Sequence, residues 1–215
     1  FLSTARRYDS VVKHWALVDY HARAAIAATV DVILSRSITG NSIGAKLTIP
    51  QGTLFTDSSG NSWLSARDVT WYSNVTTCKV PIVQHEKYTA SALNNMVIPT
   101  GDRVIIHLGT LPNGKYYEQG SMSLQIGGET WVLVDTFAKS KPTDKHFMVS
   151  VDEALNPYIM FGDGTFGKKP AAGAKITNVV FYLTNGTQGN VKSNTITSVP
   201  SVISSSITDA TVSNA

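Results

Sequence analysis

The chain has 215 residues and a mass of 23.1 kDa, which is long enough for one large domain or two small ones. Charged residues make up 15% of the sequence, against about 25% in an average protein, and 22 Ser and 23 Thr supply uncharged hydroxyl groups instead. The net charge of +3 includes no basic run longer than two residues, so electrostatics do not indicate nucleic acid as a partner.

The first 28 residues are predicted to form a helical arm, with a helix from about Leu2 to Val18. Residues 1–20 contain no Gly or Pro, and their apolar side chains recur at spacings of three and four, which places them on one stripe of a helix. The largest members of this stripe are Leu2, Tyr8, Val12 and Trp15. Because an isolated helix of this length is only marginally stable in water, the stripe must pack on another surface, and we expect a protein interface there.

From Thr29 onwards the period changes to the alternation of a β-strand, and residues 29–195 are predicted to form one β-rich domain. Turn signals rich in Gly, Pro and Asn separate most of the candidate strands. These strands are TVDVIL, AKLTI, TLF, DVTWYSNV, TCKVPIV, RVIIHL, SMSLQI, ETWVLVDTF, HFMVSV, YIMF and KITNVVFYLT. The predicted fold class is therefore mainly β with an N-terminal α-helix, and its main part is a multi-stranded antiparallel β domain that is sandwich-like.

The last segment, residues 196–215, is rich in Ser and β-branched residues and poor in charge. We expect it to be an extended connector that leads to a missing C-terminal region. The chain begins with Phe1 rather than Met, and its first residues already have the pattern of a helix interior. These features predict a fragment of a longer protein. No apolar run approaches the roughly 18 residues of a membrane-spanning helix, so we expect no membrane partner.

Residues 40–44 read GNSIG and match G-x-S-x-G, the nucleophile elbow of many serine hydrolases. That elbow requires a helix directly after the serine, because the sharp turn exposes the hydroxyl group. Here a strand-like run stopped by Pro50 follows, and a glycine-flanked loop is the favoured interpretation. A serine hydrolase that uses Ser42 stays an alternative, which needs a following helix and a His and an acid beside the serine.

Metal-ligand spacing is absent from the sequence. The five histidines include no H-x-x-x-H or H-E-x-x-H pair, and the single cysteine, Cys78, excludes a multi-cysteine zinc site and an internal disulfide framework. We therefore expect no metal site. Because the sequence also shows no catalytic constellation, we expect no enzymatic activity, no cofactor and no small-molecule ligand, as the family resemblance given below also implies.

The most distinctive local motif is GDGTFG at residues 162–167. In a P-loop the second glycine is followed by Lys and then a hydroxyl residue, whereas here Lys168 is followed by Lys169. An EF-hand calcium loop alternates oxygen ligands and ends in Glu, whereas only Asp163 is acidic here. We predict an architectural turn formed by Gly162, Asp163, Gly164 and Gly167. The glycines would take positive φ angles, and the Asp163 carboxylate would accept hydrogen bonds from nearby N–H groups.

The four tryptophans are candidates for a sugar-binding platform. Three of them, Trp63, Trp71 and Trp131, lie in strand-like runs, where burial in a core is the usual outcome. An exposed aromatic row on one sheet face would favour a carbohydrate- or receptor-binding module, and buried rings would favour a structural protein.

Three segments in a fixed order resemble one known family. The first is FLSTARRYDSVVKHWALVDYHARAAIAATVDVIL, the second IPQGTLFTDSSGNSW, and the third FMVSVDEALNPYIMFGDGTFGKKPAAGAKITNVVFYLTNGTQGNV. In the first segment the matching residues are Phe1, Leu2, Thr4, Ala5, Arg7, Ser10, Val11, Tyr20, Ala24, Ala25, Ala28 and Val30. In the third they are Phe161, Gly162, Asp163, Gly164, Gly167, Pro170, Gly173, Tyr182, Gly186, Gly189 and Asn190. These segments resemble the baseplate J-like family of contractile phage tails, which includes the large wedge subunit of T4-type baseplates, and they cover both ends of the chain.

The resemblance implies a structural subunit of the baseplate wedge, located in the virion tail baseplate and assembled in the host cytoplasm. Its partners would be other copies of itself and other wedge and hub proteins, joined into a ring around the tail hub that relays the trigger for sheath contraction. The helical stripe would then pack against helices of neighbouring wedge subunits in an intermolecular bundle. The alternative from a different class is a tail-associated carbohydrate- or receptor-binding β module.

Overall fold

A computed structural model of the chain describes residues 24–38, 46–112 and 114–214. Over these residues the fold is mostly β with few helices, which confirms the mainly β part of the prediction. The strands are β1 (Thr29–Ser35), β2 (Leu47–Ile49), β3 (Leu54–Thr56), β4 (Ser62–Ser65), β5 (Val69–Trp71), β6 (Thr77–Val83), β7 (Glu86–Thr89), β8 (Ile105–His107), β9 (Tyr116–Tyr117), β10 (Ser123–Ile126), β11 (Glu129–Leu133), β12 (His146–Val151), β13 (Pro157–Phe161), β14 (Ile176–Thr184) and β15 (Thr211–Asn214). The helical elements are one α-helical turn, α1 (Ser201–Ser204), and 3₁₀ turns at Ser91–Leu93 and Gly186–Gly189.

The predicted N-terminal helix, including Leu2, Tyr8, Val12 and Trp15, lies outside the described residues. The described end of the predicted arm, residues 24–28, is not helical. There the Ala24 N–H donates to the side chain of Gln119 at 2.9 Å, and Ala25 forms a parallel bridge with Glu118. These long-range hydrogen bonds take the backbone groups that an alanine helix would have used, so tertiary contacts override the helical propensity of alanine.

The described chain forms two compact units, where the sequence predicted a single β domain over 29–195. The flanking unit comprises Ala27–Glu86 and residues 184–214, and the central unit comprises residues 24–26 and Lys87–Leu183. The flanking unit is discontinuous in sequence because β15, near the end of the chain, pairs with β1, near its start.

The flanking unit contains a five-stranded sheet with the order β15-β1-β6-β4-β3 and a separate β2–β5 pair. All of these strands pair antiparallel. The longest pairing is between β1 and β6, where Val32 lies opposite Val80 and Leu34 opposite Cys78. All four side chains are buried, as the alternation in both strands predicts.

Residues 196–214 are not the extended connector that we expected. They form α1 and then β15, which adds an edge strand to the sheet. Ile203, Ile207 and Val212 are buried in the core of the flanking unit, so the β-branched residues of this segment serve packing rather than extension. The Asn214 side chain, which is 2% exposed, closes the segment by accepting from the N–H groups of Thr195 and Ile196.

The central unit contains an eight-stranded sheet with the order β7-β14-β10-β11-β12-β13-β8, and β9 also pairs with β14. The described pairs from β14 to β8 are antiparallel, with one exception. Strand β11 pairs parallel with β12, and twelve residues of loop separate them. The prediction of antiparallel pairing is therefore confirmed for these strand pairs, except for β11 with β12.

Aromatic rings fill the core of the central unit. Trp131 meets Phe161 edge to face with ring centroids 5.3 Å apart, and Tyr117 meets Phe181 in the same way at 5.6 Å. On β8 and β13 the residues directed into this core alternate with residues on the other sheet face. That second face forms the floor of the groove described below.

Candidate functional site

The GDGTFG motif forms a turn that is stabilised by hydrogen bonds between its own residues. Oδ1 of Asp163 accepts hydrogen bonds from the backbone N–H of Thr165 at 2.8 Å and of Phe166 at 2.9 Å. The Gly164 N–H donates to the carbonyl of Gly167 at 3.0 Å, which closes the turn across its base. The carboxylate therefore organises the loop that carries it.

Two glycines of this turn are required for different reasons. A Cβ atom on Gly162 would overlap the backbone carbonyl of Gly167, so no larger residue fits at that position. Gly164 has ample space, but its φ of +94° is a conformation that residues with a side chain rarely adopt. Gly167 combines a φ of +81° with close packing against the ring of Phe137.

The charge on Asp163 is stabilised by the turn. The N–H groups of Phe166 and Thr165 lower the pKa of the Asp163 carboxyl below its usual value, and the nearby positive charge of Arg103 adds a smaller effect in the same direction. The side chain is exposed, so this negative charge lies on the protein surface.

Gly162, Asp163 and Phe166 of this turn line a groove of about 980 Å³ on the central unit. The floor consists of two cross-strand rows on the face of β8, β13 and β12 that points away from the core. In the first row Met160 lies between Ile105 and Met148. In the second row Tyr158 lies between His107 and Ser150, of which Ser150 does not line the groove, and the centroids of the His107 and Tyr158 rings are 5.4 Å apart.

The first row of the floor is apolar, and its edge is partly open to solvent. Ile105 is 41% exposed, and Phe166, which projects from the GDGTFG turn, is 54% exposed. Both line the groove together with Phe137. An exposed apolar cluster of this kind is typical of an interaction surface.

The walls of the groove are predominantly acidic. Four carboxylate residues line it against a single guanidinium group, that of Arg103. The four are Asp135, Asp152, Glu153 and Asp163. The groove therefore matches a ligand or partner that is apolar on one side and positively charged at its edge.

One wall comes from the loop between β11 and β12, which contains Phe137. The hydroxyl of Ser140 and Nδ1 of His146 share a hydrogen bond of 2.8 Å across this loop, and the Ser140 N–H donates to the carbonyl of Phe137. Ser140 is 8% exposed, and neither it nor His146 lines the groove. We infer that the role of this serine–histidine hydrogen bond is structural and that it holds the loop closed.

Among the described residues, the remaining candidates from the sequence do not assemble into a site. Ser42 lies outside the described residues, so the structure says nothing of a nucleophile elbow there. Trp63, Trp71 and Trp131 are at most 4% exposed and cannot stack on a sugar from solvent. Burial raises the pKa of the Cys78 thiol, with Arg36 opposing the shift, which leaves a buried and weakly reactive cysteine.

Within residues 24–38, 46–112 and 114–214, no group of three or more His, Cys, Asp or Glu side chains is placed to hold a metal ion. The described part of the chain also includes no helix with the length and apolar character needed to cross a membrane.

No protein-family model matches the sequence. A search of curated proteins likewise finds no match.

The groove was not predicted from the sequence. Its floor combines residues from three strands, and a sequence does not show which strands are neighbours in a sheet. One signal was present: RVIIHL and YIMF carry large apolar side chains at both alternating positions. A strand with this pattern is typically covered on both faces, so an uncovered face on such a strand indicates a place where another segment packs.

Proposed function

We propose that the chain is a structural subunit of a contractile-tail baseplate wedge. It joins copies of itself and other wedge and hub proteins into a ring around the tail hub, and it relays the trigger for sheath contraction. In this proposal it is a virion protein of the tail baseplate that assembles in the host cytoplasm and works without enzymatic activity or a cofactor. The proposal includes an N-terminal helix and a sandwich-like arrangement of the sheets.

The observation that carries the proposal is the order of the motifs in one chain. The helical segment with its Ala-rich end, the IPQGTLF segment and the FGDGTFG turn with its long following strand resemble the baseplate J-like family in that order. The turn also has a clear structural requirement for its glycines, because the backbones of Gly162 and Gly167 are in close contact.

The proposed contact with other chains involves the apolar stripe of Leu2, Tyr8, Val12 and Trp15. Four large apolar residues on one side of a short helix need a partner surface. In a ring, each subunit must offer one surface to each of its neighbours, and such a stripe suits that role.

The alternative, a receptor- or carbohydrate-binding module of the tail, depended on the aromatic content of the chain. The burial of Trp63, Trp71 and Trp131 leaves that reading without its main support. The binding module and the wedge subunit predict different phenotypes when the gene is deleted, so a genetic experiment distinguishes them.

The test is deletion of the gene from the phage or tail cluster that encodes it, followed by electron microscopy of the particles. A wedge subunit predicts that baseplates and complete tails are missing, and that the wild-type gene supplied in trans restores them. Complete tails that fail to attach to the host would contradict the wedge proposal and favour the receptor-binding module. Complete tails with normal attachment would contradict both.

A further inference from the structure

We propose that the groove on the central unit binds the N-terminal amphipathic segment, Leu2–Val18, of a second copy of this chain. The groove is lined by Ile105, Met160 and Phe166 on its apolar side. The choice of a second copy over the chain's own segment rests on the proposed ring-forming function. The match between the groove and the segment does not rest on the proposed function, because it follows from the apolar residues and the charges that each of them carries.

The apolar match is between a short run of the stripe and the floor of the groove. Val12 and Trp15 are three residues apart, a spacing that would place them on the same face of the helix predicted from the sequence. A groove of about 980 Å³ accommodates a few large side chains rather than a whole helix. Met160, which is half-buried, suits this role because the flexible thioether adapts its shape and makes favourable contacts with aromatic rings.

The charges of the segment and of the groove walls are also complementary. The segment from Leu2 to Val18 carries three basic residues, Arg6, Arg7 and Lys13, against a single acidic one, Asp9. The walls of the groove carry four carboxylates against one guanidinium group. An amphipathic helix whose apolar face enters an apolar groove, with its basic residues at an acidic rim, is a recurring mode of recognition.

The groove and the segment are different surfaces of one chain, so the contact is head to tail. Contacts of this kind do not pair two copies symmetrically. They continue from copy to copy and either close into a ring or extend as a filament. The groove thus gives the proposed ring a specific contact surface, in place of the helix bundle expected from the sequence.

The first experiment measures the association of the full chain by sedimentation velocity up to about 1 mM, a range that covers weak complexes. The wild-type chain is expected to associate with increasing concentration. Ile105→Asp in the groove and Val12→Asp in the segment should each raise the dissociation constant at least roughly tenfold, because each places a charge in an apolar contact. The matched control is Val132→Asp, at a valine that is 54% exposed and does not line the groove, and it should associate like wild type.

A second groove variant distinguishes a weakened contact from loss of folding. Asp135→Lys reverses an exposed charge on the groove wall, leaves the floor untouched and should also weaken association. The effect should shrink at high salt, which screens charges at the rim. Wild-type chain that stays monomeric throughout, or groove variants that associate normally, would overturn the proposal.

Mixing the two variants tests the second copy directly. The Ile105→Asp chain has an intact segment and the Val12→Asp chain an intact groove, so an equimolar mixture should form a dimer that neither variant forms alone. If the mixture stays monomeric while wild type associates, or if each variant loses thermal stability without a change in size, the second-copy contact is wrong. Each of these results is independent of the deletion phenotype, so the groove proposal and the wedge proposal can fail separately.

Discussion

The backbone of Gly167 occupies the space that a Cβ atom on Gly162 would take. This contact fixes the start of the GDGTFG turn against its end, and with it the position of Phe166 at the groove. The two residues are five apart in sequence, so the motif requires glycine at Gly162 because of backbone packing rather than because of its own φ angle.

We therefore predict that Gly162→Ala lowers the free energy of unfolding of the central unit by about 2–3 kcal/mol, since the overlap with Gly167 forces the turn apart. Gly164→Ala should cost about 1–2 kcal/mol from its positive φ alone. The control is Gly101→Ala, where the nearest atom to a new Cβ is 3.7 Å away and φ is not positive. Urea denaturation measures all three, and a wild-type midpoint for Gly162→Ala would show that the close contact is not formed.

A second prediction concerns Asp57, a carboxylate that is 5% exposed in the flanking unit. Its oxygens accept from the N–H groups of Ser59 and Asn61, the side-chain amide of Asn61 and the indole of Trp63. Burial alone would raise the pKa of Asp57, but these hydrogen bonds, those of Asn61 foremost, lower the pKa below its usual value.

Because the folded-state pKa of Asp57 is lowered, its stabilisation is complete above pH 4 or so and is lost as the pH falls through the folded pKa. Asp57→Asn should lower the free energy of unfolding by about 2 kcal/mol at pH 7 and by less at about pH 3. The difference in stability between the variant and wild type should therefore become smaller as the pH falls. The control is Asp31→Asn, which removes an exposed ion pair with Lys79 and should cost under about 1 kcal/mol. Denaturation curves at several pH values measure this, and a constant difference between Asp57→Asn and wild type would contradict it.

The third prediction tests the role of the C-terminal strand. Asn214→Ala removes the acceptor of the Thr195 and Ile196 N–H groups, and the Ile196 site is fully buried. A buried N–H group without a partner costs about 1–3 kcal/mol, so we expect at least that loss in the flanking unit. Ser213→Ala, at the neighbouring half-buried position, serves as the control. If hydrogen exchange at β1 is unchanged in Asn214→Ala, β15 does not stabilise the sheet.

The fourth prediction concerns Trp15. If the apolar stripe contacts another chain, Trp15→Ala should weaken assembly by about 2 kcal/mol or more, as at an interface hot spot, with little change in the melting temperature of the monomer. Trp15→Phe keeps a large apolar ring and should lose less. A lower melting temperature together with normal assembly would instead place the helix in the core of its own chain.

Two strands could be predicted to the residue from local pattern. The segments TCKVPIV and HFMVSV coincide with β6 and β12, since each is a run of apolar or alternating residues of strand length. β4 was missed because SWLS is short and half serine. β15 was missed because its stability comes from pairing with β1, almost 180 residues earlier, and local composition carries no record of that partner.

The candidate site was predictable only in part. The turn signal at residues 162–167 was clear, and the prediction that Asp163 accepts from nearby N–H groups agrees with the geometry. The requirement for glycine at Gly162 was assigned to positive φ, whereas the structure assigns it to the backbone of Gly167. The groove depends on the neighbouring order of β8, β13 and β12, which long-range pairing decides.

Electron cryo-microscopy of the assembled contractile tail tests the central claim most directly, because it locates the chain and its contacts in one map. The account predicts that copies of the chain form part of the baseplate ring around the tail hub and contact one another. Density for the chain at a tail fibre or receptor-binding tip, or a complete particle that lacks the chain, would contradict it.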